Sequence, residues 1–259
     1  MKDIQNLKDN RNVDIQKVGI KHLELPLIIQ RKNNSNQVVC AKAKVNVSLP
    51  RDYKGTHMSR FVEVLSEWQH KNLLGVDIKG CLEKIIKNLD AESGELEFQF
   101  PYFIDKKSPV KGMVAPMSYH CLFEGRIEND NYKFILGVEV PVTTLCPCSK
   151  EISDNGAHNQ RALIKVKVSY DESEQIWIED LIELIESCAS CPVYPLLKRE
   201  DEKFVTEKAW DNPKFVEDVL RDVVVKLRNH SIVKEFEVEC EAFESIHNHS
   251  AWAFQHEFN

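Results

Sequence analysis

Residues 143–162 read TTLCPCSKEISDNGAHNQRA and place Cys146, Cys148 and His158 within thirteen positions. In an extended chain the two sulfurs of a C-x-C pair project to the same side, and a histidine on a returning loop can reach the same ion. The segment carries Asn155 and Gly156 and lies between two apolar strands, so it reads as a loop for metal binding or catalysis rather than a chance meeting of thiols. Further on, SIHNHSAW sets His247 and His249 two positions apart; an extended backbone would aim both imidazoles to one side, as ligands or as a pair of surface histidines. Between these segments, SCASCPVYPLLKREDEKF carries Cys188 and Cys191 in C-x2-C spacing, the bases Lys198 and Arg199, and the acids Glu200, Asp201 and Glu202. Cys146, Cys148, Cys188 and Cys191 would make a four-thiolate structural zinc site, but zinc knuckles usually present C-x2-C on both sides and this chain offers C-x-C on one. A carboxylate such as Glu200 joining a thiolate and histidines would instead leave the open position that a hydrolytic centre needs. Glu217 and Asp218 follow Asn212-Pro213 at the start of an expected helix. Asp218 reads as compensation of the helix dipole, whereas Glu217 could face inward and accept two donors from a base or amide.

The elements that position these residues follow from periodicity. VVCAKAKVNVSL, residues 38–49, alternates Val39, Ala41, Ala43, Val45 and Val47 against Lys42, Lys44, Asn46 and Ser48, a half-buried strand. Helices are expected over about 60–70 and 77–91, the second with Ile78, Leu82, Ile85, Ile86 and Leu89 at helical spacing. Strands at 96–100 and 118–128 follow, and Asn129-Asp130-Asn131 turns the chain into YKFILGVEVPV. The order then repeats: a strand at 161–170, helices at about 177–188 and 214–229, and strands at 235–243 and 250–258. With a strand at 22–29 included, each half reads strand, strand, helix, helix, strand, strand. The expectation is an α+β chain of two tandem units, 1–130 and 131–259, each an antiparallel four-stranded sheet covered on one face by a helix pair, the second carrying most site residues. Small sheets leave edges that need covering, which favours a homo-oligomer.

Composition narrows the classes of function. The 259 residues are 42% apolar and 29% charged, a globular balance, and no apolar run approaches the ~18 residues that cross a bilayer. The opening MKDIQNLKDNRNVDIQKVGI has no apolar h-region, so the expected compartment is the cytoplasm. A net charge of −7 argues against nucleic acid as main partner but permits a small anionic ligand at a local cluster of bases. Eight cysteines in a cytosolic chain are reduced thiols or metal ligands, and the isolated Cys40, Cys81, Cys121 and Cys240 read as small buried hydrophobes.

Taken together, PVTTLCPCSKEISDNGAHNQRA, SCPVYPLLKREDEKFVTEKAWDNPKFVEDVLRD and ESIHNHSAWA resemble the prokaryotic type IB GTP cyclohydrolases, over about residues 10–257. The resemblance implies a tunnelling fold with two units per chain, a homotetramer with active sites at subunit interfaces, and conversion of GTP and water to 7,8-dihydroneopterin triphosphate and formate, the entry to tetrahydrofolate biosynthesis. It also implies a divalent ion, with zinc, manganese or another metal able to serve, held by some subset of Cys146, Cys148, His158, Glu200, His247 and His249. One of the two thiols, with Cys148 favoured, would act as acid or base. Glu217 would accept the two parallel N–H donors of guanine, and Lys150, Arg161, Lys198 and Arg199 are the bases nearest in sequence for the triphosphate. Two rivals stand beside this reading: a reductase of the same fold acting on a pterin or deazapurine, and a zinc-stabilised scaffold without turnover.

Overall fold

The computed structural model describes residue 5 and residues 7–259; the rest of the opening segment, on which the leader expectation partly rests, lies outside the described residues. The fold is α+β, and spatial clustering divides it into two units. The first holds the chain up to Pro101 with Leu122–Leu136 and Tyr170–Gln175; the second holds Tyr102–Cys121, Gly137–Ser169 and Ile176–Asn259.

In the first unit, β1 (Ile15–Gln30) pairs antiparallel with β2 (Asn36–Leu49), and the helices α1 (Met58–Trp68) and α2 (Asp77–Leu89) flank the short β3 (Asn72–Leu73). β2 is a strand because its apolar parity has somewhere to go: Val39, Ala41, Ala43, Val45 and Val47 are all buried. α2 buries Ile78, Cys81, Leu82 and Ile85 as its spacing predicts and stops at Asp90, which takes the left-handed conformation at φ 52°. Gly19 in β1 lies where a Cβ would come within 1.9 Å of the Val45 carbonyl oxygen, so the two strands can approach there only without a side chain. The strands β4 (Gly94–Lys107), β5 (Val114–Glu128) and β6 (Asn131–Leu145) each supply residues to both units. Strand order in the first unit is β3-β1-β2-β4-β5-β6. Phe100, Phe123, Phe134 and Tyr170 form an edge-to-face run through its core, with successive centroids 5.1, 5.7 and 5.5 Å apart. Asn129 and Asp130, with φ 50° and 62°, make the expected tight turn between β5 and β6.

In the second unit the chain continues through α3 (Pro147–Ile152), β7 (Asn159–Ser169), α4 (Ile178–Glu186), β8 (Cys191–Pro192), α5 (Arg199–Asp211), α6 (Val216–Arg228), β9 (Glu235–Ala242) and β10 (Ala251–Phe258). Strand order is β10-β9-β7-β6-β5-β4, with β8 on β6. α4 and α6 bury the apolar stripes expected of them, among them Leu181, Ile185, Val219, Val223 and Leu227. The sequence gives no element to the stretch that forms α5, whose buried residues are only Asp201 and Ala209. Its start is fixed by hydrogen bonds instead: Asp201 accepts from Lys198 N at 3.0 Å and from Val110 N and Lys111 N at 2.8 and 2.9 Å. Burial alone would raise the Asp201 pKa, but these backbone donors and the Ser108 hydroxyl outweigh it and bring it down to about 2.

Cysteine burial needs one correction. Cys81, Cys121 and Cys240 are buried as expected, whereas Cys40 is exposed, because it shares the parity of Lys42 and Lys44 and not that of Val39 and Ala41. No helix among the described residues is long and apolar enough to cross a membrane.

Candidate metal and substrate site

The side chains singled out for chemistry all belong to the second unit. β6 ends at Leu145, and Cys146 caps the short helix α3: its sulfur accepts from Ser149 N at 3.4 Å. Pro147, at the first helical position, favours this start because it has no N–H to satisfy there. The returning chain closes on the same point, since Cys146 N donates to the His158 carbonyl at 3.1 Å and Ser149 Oγ bridges the loop, donating to the Cys146 carbonyl at 3.1 Å and accepting from His158 N at 3.2 Å. Backbone hydrogen bonds thus join the segments of Cys146 and His158, both half-buried, but the C-x-C pair is not extended as expected, because the helix begins at Pro147. Cys148 lies exposed on the first turn of α3.

The C-x2-C cysteines are both buried. Cys191 packs with Leu145 and Ala209 in a small core joined by Ala157, Tyr194 and Val205, and Cys188 is buried with its sulfur 3.3 Å from the Leu184 carbonyl. Burial pushes both thiols up. Leu145 N donates to Ser190 Oγ at 3.2 Å, and Asn212 Nδ2 donates to the Ala189 and Ser190 carbonyls at 2.9 and 3.3 Å. A cavity of about 460 Å³ opens over this core, lined by Thr143, Ala157, Tyr194 and Trp210 among others.

Lys214 N donates to the Leu145 carbonyl at 3.0 Å, which docks the lead-in to α6 against the residue preceding Cys146. The first turn of α6 follows directly. Asp218 lies in that first turn, where dipole compensation is expected of it, and also accepts from Phe215 N at 3.1 Å, whereas Glu217 beside it is exposed and not turned inward. Glu200, on the first turn of α5, pairs with Lys111 at 2.8 Å, both side chains about half exposed, and the Lys111 ammonium lowers the Glu200 pKa. His247 and His249 lie on the connection between β9 and β10 rather than on a strand, exposed, their rings stacked at 5.0 Å and 11°. Among the described residues no three His, Cys, Asp or Glu side chains stand together as they would around an ion. Of the bases, Lys150 donates to the Trp210 carbonyl with its ammonium 4.6 Å from the indole centroid, while Arg161, Lys198 and Arg199 are exposed.

Three polar residues at the site escape motif reading. Gln160 faces His158 Nδ1 at 3.0 Å and also reaches Thr144 and Glu244. The only sequence signal for Gln160 is its place two residues after His158, at the start of a strand. Glu244 Oε2 stands 3.9 Å from the same imidazole nitrogen.

Comparison with known proteins places the chain as a whole. The family model described as type I GTP cyclohydrolase folE2 matches residues 1–253. The GTP cyclohydrolases FolE2 of Geotalea uraniireducens and Thermosipho africanus are each 51% identical over 253 residues, covering 98% of this chain and 92% and 96% of theirs. Among solved structures, uricase from Arthrobacter globiformis aligns with a TM-score of 0.56 at 7% identity, over 94% of this chain and 93% of that one. A highly active mutant of Bacillus sp. TB-90 urate oxidase aligns with the same TM-score at 9% identity, over 95% of this chain and all of that one. At such identity the two structures speak for a shared tunnelling-type fold alone. The matches over nearly the whole chain carry the rest: the chain belongs to the type I GTP cyclohydrolase FolE2 family.

Proposed function

We propose that the protein is a metal-dependent GTP cyclohydrolase converting GTP and water to 7,8-dihydroneopterin triphosphate and formate, at the head of tetrahydrofolate synthesis. The observation that carries this reading is the closure of the Cys146 loop on His158, in a chain of this family, with the Nδ1 side of the imidazole occupied by Gln160. The donor set suits zinc, which is borderline, and through its carboxylate and imidazoles also the harder manganese: Cys146 and His158, joined by Glu200, His247 and His249, mix soft and hard atoms and so tolerate several ions. Glu200 would exchange Lys111 for the cation. Such a cation supplies Lewis-acid activation of water for attack on the carbon between the two imidazole nitrogens of guanine.

The chain's own residues do the remainder. Glu217 accepts the two parallel N–H donors of guanine through a bidentate carboxylate, which fixes the ring's orientation. Cys148, outside the sulfur–backbone contacts that hold Cys146, is the acid that delivers a proton to the ring nitrogen as its bond to the attacked carbon breaks. Arg161, Lys198 and Arg199 are free to meet the triphosphate, and Lys150 would join them by leaving Trp210. Assembly as a homotetramer of chains built from two tandem units, with the site completed at subunit interfaces, belongs to the same reading.

Chelator-treated protein incubated with GTP, with and without manganese or zinc, tests it. The expected result is metal-dependent formate together with the fluorescence of the oxidised pterin. A folded protein that releases no formate with any ion overturns the reading, and consumption of NADPH with a pterin or deazapurine would put a reductase in its place.

A further inference from the structure

Gln160, the second residue of β7, has an amide whose two ends face different partners. Its Oε1 lies 3.0 Å from His158 Nδ1, and its Nε2 donates to Thr144 Oγ1 at 3.2 Å and toward Glu244 Oε1 at 3.5 Å. An ionised carboxylate only accepts, so the amide nitrogen must be the end turned to Glu244, and the amide oxygen is left for the histidine. That oxygen also only accepts. The imidazole must therefore carry a proton on Nδ1, and its neutral form then has the lone pair on Nε2. The side chains of His158 and Glu244 are 16% and 15% exposed, so this array is largely shielded from competing water.

We infer that Gln160 is a positioning residue: it holds His158 in the Nδ1–H tautomer, with Nε2 presented to a divalent cation, and anchors Glu244 at the start of the connection that carries His247 and His249. The inference rests on the proposed role of His158 as a ligand. Its physical basis is general, since an outer hydrogen bond that orients a metal-bound imidazole fixes its tautomer and raises its basicity, and losing that bond costs about 10–100-fold in metal affinity.

The experiment uses the full chain, metal-free, with histidine labelled by nitrogen-15. The wild-type spectrum is expected to show His158 protonated on Nδ1, and a manganese titration followed by paramagnetic resonance gives the reference Kd. Gln160→Leu should keep the fold by circular dichroism, lose the Nδ1–H signature and weaken manganese binding about 10–100-fold. The exchange Gln160→Glu with Glu244→Gln keeps an acceptor for Nδ1–H and a donor beside it, so it should restore both the signature and a Kd within a few-fold of wild type. A folded Gln160→Leu protein with unchanged tautomer and Kd overturns the inference. Should that variant fail to fold, loss of the Nδ1–H signature in the folded double variant overturns it instead. A wild-type protein that shows the Nδ1–H signature but neither binds manganese nor releases formate supports the tautomer assignment and overturns the functional reading, so the two failures are distinguishable.

Discussion

The Glu95 network of the first unit and the candidate-site side chains of the second treat charge in opposite ways, although the second unit has closed pairs of its own, such as Lys106 with Glu186. In the first, the buried carboxylate of Glu95 receives the ammonium groups of Lys17 and Lys44, the second at 3.0 Å; Lys44 also reaches Glu97 at 3.2 Å, and Arg126 stands 3.9 Å away while bonded to Glu124. Each charge there meets an opposite one, as a buried carboxylate requires. In the second unit, Cys148, Glu217, His247 and His249 are exposed, and half-buried Cys146 and His158 are held chiefly by backbone groups, Ser149 and an amide. A closed network spends its charges on one another and can only stabilise. An open one keeps lone pairs and protons for a ligand. An open set of side chains is what the proposed site requires.

Substitutions should divide along the same line. The largest effect is expected from Cys146→Ala and His158→Ala: each should lower kcat/KM by at least about 10³-fold and abolish metal binding, with little change in melting temperature. Metal content by mass spectrometry beside steady-state kinetics checks this, and a variant that retains turnover would break the comparison. Cys148→Ala should lower kcat about 10²-fold while metal content stays at wild-type level. The two thiols are thereby told apart, since loss of metal marks the ligand and loss of turnover alone marks the acid. Glu217→Gln should cost about 10–100-fold in kcat/KM for GTP, as one of two charge-assisted bonds to guanine is replaced by a clash of donors; an unchanged value would remove Glu217 from base recognition.

Glu95→Gln in the first unit is the counterpart, lowering stability by about 1–2 kcal/mol, a range discounted for the solvent reaching Lys17, with activity per folded molecule retained. Burial alone would raise the Glu95 pKa, but the hydrogen bonds from Lys17 and Lys44 dominate and hold it at about 2, below its ordinary 4.5. A folded-state pKa depressed in this way contributes stability above the unfolded value and loses it as pH falls through the folded one. Wild-type protein should therefore lose stability between roughly pH 4.5 and pH 2, and Glu95→Gln should lose less of it over the same interval. Denaturant melts at several pH values would show parallel curves if the network stabilised nothing.

How much of this was legible in the sequence depends on where each residue's partners lie. β2, α2, α4, α6 and β9 were readable because local alternation or helical spacing already separates a buried face from a solvated one. α5 was not, because Phe204 and Trp210 are exposed and the helix start depends on Asp201 bonding Val110 and Lys111, some ninety residues earlier. In the candidate site, Cys146 and His158 are proposed from type and spacing, and the structure adds the backbone closure of the loop between them. Gln160 did not: an amide is common at any strand start, and its role depends on His158, Thr144 and Glu244 meeting from three segments. The C-x2-C pair misleads in the other direction, since its spacing suggests a metal while Cys191 packs with Leu145 and Ala209.

The smallest expected effect, that of Cys40→Ser, sharpens the comparison inside the first unit itself. Cys40 and Cys81 read alike in sequence, each a lone thiol in an apolar segment, yet one is exposed on β2 and the other is 1% exposed within α2. Burial pushes the Cys81 thiol up to about 12. Replacing that sulfur by a hydroxyl puts a stronger donor and acceptor among Ile78, Leu82 and Ile85, so Cys81→Ser should cost about 1–3 kcal/mol. Cys40→Ser changes a side chain already in water beside Lys42 and should stay within about 0.5 kcal/mol of wild type. Urea melts of the two variants decide it. Equal destabilisation would mean that Cys40 is covered in solution, as a strand face becomes when another chain packs on it, and would carry the argument from the fold of one chain to its assembly.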